Sequence, residues 1–130
     1  MKKILLLLFV LLLSASTCPN REVHFKKIFS QYINGKIDVS LNEYKKTVDI
    51  ATDTFAIDVE FAPNWATSIG HSLYAATKLN KKAGILLITH NNSRDKYSHD
   101  KYINILMPIA NKYNITVWVM NYSDSTWEKN

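Results

Sequence analysis

The sequence predicts one α/β (α+β) domain built on a mixed sheet, and three observations carry that prediction. Three short segments between Ile37 and Phe61 alternate apolar and polar residues, the two-residue period of half-buried strands. The run Ala83 to Thr89 (Ala-Gly-Ile-Leu-Leu-Ile-Thr) is apolar without alternation, as expected of a strand covered on both faces. Around these strands, apolar residues recur at the three- and four-residue intervals of amphipathic helices.

Residues 1–16 stand apart from this pattern. Lys2 and Lys3 precede the apolar run Ile4 to Leu13, which breaks into Ser14, Ala15 and Ser16, small residues suited to a signal-peptidase site. Ten helical residues reach only about 15 Å, half of a hydrocarbon core, so a secretory signal with export fits better than a membrane span. Cys18 leaves lipidation as an alternative anchor, against which Ala15 and Thr17 depart from the residues that lipoprotein precursors carry. The expected mature domain is residues 17–130, with its core over about 23–119.

Without the first sixteen residues the apolar fraction falls from 47% for the whole chain to roughly 43%, ordinary for a globular domain. Three Gly, three Pro and no fixed-period repeat exclude low-complexity and solenoid architectures, and one Cys excludes a disulfide framework or a Cys-rich zinc site. The formal charge is +5, and loss of Lys2 and Lys3 leaves 14 basic residues against 11 acidic ones. That mild bias is compatible with a polyanionic partner such as nucleic acid but assigns no site.

Val23, Phe25, Ile28, Phe29, Tyr32 and Ile33 predict a first helix, stopped by Asn34-Gly35. Ile37, Val39 and Leu41 alternate with Asp38 and Ser40 for a strand, Asn42 to Lys45 turn the chain, and Val48 and Ile50 mark a second strand. After Thr52-Asp53-Thr54, Phe55, Ile57, Val59 and Phe61 alternate with Ala56, Asp58 and Glu60 for a third, and the short connections make an antiparallel meander. Pro63-Asn64 ends it. Trp65, Ile69, Leu73 and Ala76 then predict a helix over 64–79 packed on the sheet, with Lys78 to Lys82 as its basic exit. The strand 83–89 should be central. A polar loop, Asn91 to Arg94, precedes a helix over 95–113 whose inner stripe includes Tyr102, Ile105, Leu106 and Ile109, and which Pro108 should kink or end early. Ile115, Val117 and Val119 form a last strand, and the tail from Ser123 should be loose.

Asp58 and Glu60 lie two apart on one strand and therefore share a face, opposite Ile57, Val59 and Phe61. If the register keeps the apolar sets together, Asp49 and Asp38 join them. Three or four converging carboxylates raise one another's pKa values unless a cation intervenes, and a hard divalent ion, Mg²⁺ or Mn²⁺, is the natural partner of oxygen ligands. Such an ion could bridge a phosphate oxygen and acidify an attacking water. The bland alternative is a solvated polar face. Against it, like charges on facing strand positions cost about 0.2–1 kcal/mol each.

With helix, Asp38, three strands bearing Asp49 and Asp58-Val59-Glu60, helix and strand, the chain resembles the PD-(D/E)XK, or restriction-endonuclease-like, nuclease superfamily over about residues 23–119. The resemblance implies an αβββαβ core with an extra C-terminal helix and strand. It also implies Mg²⁺-dependent hydrolysis of nucleic-acid phosphodiesters, with Asp38, Asp49 and Asp58 as metal ligands. The segment from Phe55 to Tyr74 is similar to a small branch of uncharacterised bacterial proteins of this fold, which carry Gln where His71 stands and one or two Lys just before the Trp. Here Glu60 occupies the position of the superfamily lysine, as in a minority of active members, and Pro63 and Asn64 stand where lysines could have compensated. Lys78, Lys81 and Lys82 are the nearest basic candidates in sequence.

His71 and Tyr74 share a helix face. His71 is read either as a proton carrier or substrate contact beside the carboxylates, or as a histidine bonded at the helix–sheet seam. Trp65 reads as core rather than as a base-stacking platform, and His90 and His99 as surface residues. The leading expectation is an exported Mg²⁺-dependent nuclease-like enzyme, with Asp49, Asp58, Glu60 and His71 in the chemistry and Lys78 and Tyr74 on the substrate. A non-enzymatic domain of the same fold that binds nucleic acid or protein is the second reading. An unrelated envelope protein with a solvated acidic face is the third.

Overall fold

Each predicted apolar run becomes a strand or helix around one six-stranded mixed sheet. The computed structural model describes residues 21–42, 45–90 and 97–130. The expected signal segment, Cys18 and the loop Asn91 to Arg94 lie outside the described residues. In chain order the elements are α1 (Arg21–Tyr32), β1 (Lys36–Ser40), β2 (Thr47–Ala51), β3 (Phe55–Phe61), a 3₁₀ turn (Ala62–Asn64), α2 (Trp65–Leu79), β4 (Lys82–Thr89), α3 (His99–Lys112), β5 (Thr116–Asn121) and β6 (Trp127–Lys129). The strands lie in sequence order across the sheet. The meander β1–β2–β3 is antiparallel, β3, β4 and β5 run parallel, and β6 returns antiparallel to β5.

Strand β4 is central, as expected, and feeds both faces. Ile85 and Leu87 enter a core beneath α2 and α3, while Leu86 and Ile88 enter a second core beneath α1 with Phe25, Phe29, Trp118 and Met120. Gly84 is required within the second core, since a Cβ there would stand 2.8 Å from Trp118 Cζ3 and 2.9 Å from Ile57 Cγ1. Among the described residues no helix is long and apolar enough to cross a membrane.

Four expectations change. The apolar residues of the first two strands do not share a face: Ile50 joins the α1 core with Ile57 and Val59, whereas Val39, Leu41 and Val48 pack on the α2 side. The change falls between the pairs Ile37–Ile50 and Val39–Val48, where Asp38 on β1 holds a left-handed φ of 52° and the Asp49 side chain on β2 accepts the Val59 N–H. The tail is not loose, because Trp127 to Lys129 pair with β5 and the Trp127 ring meets Phe29 edge-on at 5.3 Å. Of the kink or early end expected at Pro108, the early end does not occur, since α3 runs on to Lys112. Finally, the most buried residues of α2 are Ser68, Ser72, Ala75 and Ala76, with Trp65, Ile69 and Leu73 only half-buried beside them. Small side chains let the helix approach the sheet closely, and Ser72 satisfies its hydroxyl on the Ile69 carbonyl at 3.0 Å.

Candidate functional site

The meander opens where the acidic residues stand. Strands β2 and β3 pair Ile50 with Ile57 and Ala51 with Ala56. Where Val59 would next meet Val48, its N–H is instead accepted by Asp49 Oδ2 at 2.8 Å. A side chain thus takes over a main-chain ladder position, and the strands part around it.

Lys26 of α1 fills the opening. Its ammonium lies 2.8 Å from Asp38 Oδ1 and 2.7 Å from Asp49 Oδ1, with the lysine side chain 7% exposed against 57% for Asp38 and 18% for Asp49. Burial alone would lower the Lys26 pKa, but its hydrogen bonds to Asp38 and Asp49 and their charges outweigh that and raise it. The ammonium beside Asp38 and Asp49 therefore comes from α1 rather than from the sheet. Lys81 points elsewhere, donating to the Asp53 carbonyl at 3.0 Å.

Asp58 projects from β3 toward α2 and is buried. Ser68 donates to its Oδ2 at 2.6 Å, and His71 Nδ1 lies 3.4 Å from its Oδ1. Burial, and after it the charges of Asp49, Glu60 and Glu22, push its pKa up to about 8, while the Ser68 hydrogen bond works the other way. Glu60 folds back on the 3₁₀ turn, its Oε1 accepting from the Phe61 N–H at 2.9 Å and the Asn64 amide at 3.1 Å. Glu22, one helical turn before Lys26, also has a raised pKa, from burial first and then from Asp49 and Glu60.

The fold therefore gathers Asp38, Asp49, Asp58 and Glu60 into one region, with His71 at its margin and largely exposed. They form two groups rather than one cage: Asp38 and Asp49 on Lys26, Asp58 on Ser68 and His71. Among the described residues, no three His, Cys, Asp or Glu side chains converge closely enough to hold a metal ion in this arrangement. Tyr74 and Lys78 continue the exposed face of α2 beyond His71. The ammonium groups of Lys46 and Lys78 sit 5.6 and 5.7 Å from the Tyr74 ring centroid.

Sequence reasoning missed Lys26, Glu22, Ser68 and Lys46. Glu22 and Lys26 did leave a signal, an acid–base pair four residues apart beside the apolar stripe of α1. Ser68 left none beyond being small on a packed helix. Compared with known proteins, the chain matches no protein-family model, no curated protein and no solved structure.

Proposed function

We propose that this chain is a restriction-endonuclease-like domain that hydrolyses nucleic-acid phosphodiester bonds with the help of Mg²⁺ or Mn²⁺. The observation that carries the reading is a surplus of negative charge at the parting of β2 and β3. Glu22, Asp38 and Asp49 lie around the ammonium of Lys26, and beside them the charges of Asp49, Glu60 and Glu22 add to burial in raising the Asp58 pKa to about 8. An all-oxygen, electron-rich donor set suits a hard divalent ion. The αβββαβ order, followed by one more helix and parallel strand, further supports the reading.

Asp49 and Asp58 would hold the ion, joined by Asp38 once Lys26 releases it. When bound, the ion would polarise a phosphate oxygen and acidify water. Lys26 contributes a buried ammonium that can stabilise charge developing on the phosphoryl oxygens. Glu60, steadied by Asn64, orients the attacking water, and His71 carries a proton between Asp58 and solvent. Lys46, Tyr74 and Lys78 offer charge and a ring to a polynucleotide passing along α2. With the expected secretory signal removed, the domain would act outside the cytoplasm.

The test is calorimetric titration of the mature chain with Mn²⁺, paired with cleavage of labelled single- and double-stranded DNA and RNA. Binding and cleavage that vanish together in Asp49→Ala and Asp58→Ala are expected. No carboxylate-dependent heat and no cleavage would sink the enzyme. One observation favours a second reading, a binding module of this fold without turnover: Lys26 already neutralises Asp38 and Asp49, as a resident cation would. That reading expects polynucleotide binding that is indifferent to Mn²⁺ and survives Asp58→Asn.

A further inference from the structure

A cleft of about 490 Å³ opens between the carboxyl ends of β4 and β5, the first turn of α3 and strand β6, and shares no residue with the acidic cluster. Open α/β sheets place ligands at this end of their parallel strands. We propose that this cleft binds an uncharged, polyhydroxylated ligand the size of a hexose unit.

The lining is chemically mixed in the way such a ligand needs. Hydroxyls of Thr89 and Ser98 can donate or accept, the carboxylates of Asp100 and Glu128 accept, and Asn121 adds an amide whose oxygen already takes the Ser123 N–H at 2.8 Å, leaving its N–H₂ as donor. The His99 ring faces Thr89 on one side and Glu128 on the other. Its Nδ1 lies 3.5 Å from Thr89 Oγ1 and its Nε2 3.8 Å from Glu128 Oε1. Thr89 is 1% exposed and Ser98 is 4% exposed. Ser98 opens α3 without a side-chain hydrogen bond to the helix, which leaves its hydroxyl on the cleft wall available to an occupant.

Trp127 supplies the apolar element. Its indole is partly exposed, lines the cleft, and is braced by Phe29 edge-on at 5.3 Å and Tyr32 at 5.9 Å. A rigid aromatic surface suits the C–H face of a sugar ring. Charge narrows the class further. Among the described residues the lining carries two carboxylates and neither Lys nor Arg, which disfavours phosphate esters and other anions. The volume lies at the small end of ligand pockets, which suits one ring.

The test is amide NMR of the ¹⁵N-labelled protein titrated with glucose, galactose and N-acetylglucosamine, each to about 50 mM, and separately with inorganic phosphate. At least one sugar is expected to give saturating shifts at Ser98, His99, Asn121 and Trp127. Affinity should fall at least about tenfold in Glu128→Gln, which keeps the shape of the wall but removes a charged acceptor. Trp127→Ala should do the same, with Trp127→Phe as the substitute if that variant unfolds. No response to any of the three sugars, shifts from phosphate at the same amides, or undiminished affinity in Glu128→Gln would overturn the proposal. None of these outcomes bears on cleavage at Asp49 and Asp58, so the two readings fail separately.

Discussion

The ammonium of Lys26 lies 2.7 Å from one oxygen of Asp49, and the other oxygen of that carboxylate accepts the Val59 N–H at 2.8 Å. One side chain therefore ties α1, β2 and β3 together at the point where the ladder ends. Lys26→Met should leave two aspartates facing Glu22 and Glu60 without compensation. The expected loss is about 2 kcal/mol at pH 7, below the full cost of breaking a buried pair because Asp38 is largely exposed. Urea unfolding checks it.

Asp58 gives stability a definite slope with pH. Its folded pKa of about 8 exceeds the ordinary 3.8, so between those values the folded state holds a proton that the unfolded state has released. Its contribution is fully present below the unfolded value and is lost as pH rises through the folded one, at up to about 1.4 kcal/mol per pH unit. Thermal unfolding of the metal-free protein from pH 4 to 8 should show this decline, and Asp58→Asn should flatten it. A saturating divalent ion, if the proposed enzyme is right, should flatten it too by stabilising the ionised form.

Gly84→Ala should destabilise the protein by about 1–3 kcal/mol through overpacking, since the new methyl would press on Trp118 and Ile57 within the sheet. Chemical denaturation measures the loss. Trimming Trp118 by Trp118→Leu in the same chain should recover part of it.

Ending the chain after Tyr122 should remove more than a tail. Strand β5 would become an edge with unpaired main-chain groups, and Phe29 would lose the Trp127 ring. Lower thermal stability and concentration-dependent self-association are expected, read by size-exclusion chromatography across a dilution series.

Strands β3 and β4 were legible because their residues declare themselves, one by alternation and the other by unbroken apolarity. The three-residue β6 was not, since Trp127-Glu128-Lys129 is too short for a period and earns its place only by pairing with β5. The split of the meander between two cores was also hidden. It falls at Asp38, whose left-handed φ the sequence does not announce because Asp is only one of several residues that tolerate that conformation. At the site, the carboxylates could be named from strand positions, whereas Lys26 could not, because a lysine on an amphipathic helix reads as solvent-facing until the fold sets aspartates beside it.

The three helices are each followed by an asparagine with positive φ: Asn34 at 53°, Asn80 at 51° and Asn114 at 55°. Among the described residues no glycine takes that conformation. Glycine would enter it with less crowding but would loosen the denatured chain, so the two effects of Asn→Gly at these exits oppose each other. The left-handed step at each corner thus falls on asparagine even after α1, where Gly35 is the next residue, and the chain begins folding from a stiffer coil than one with glycine at all three positions.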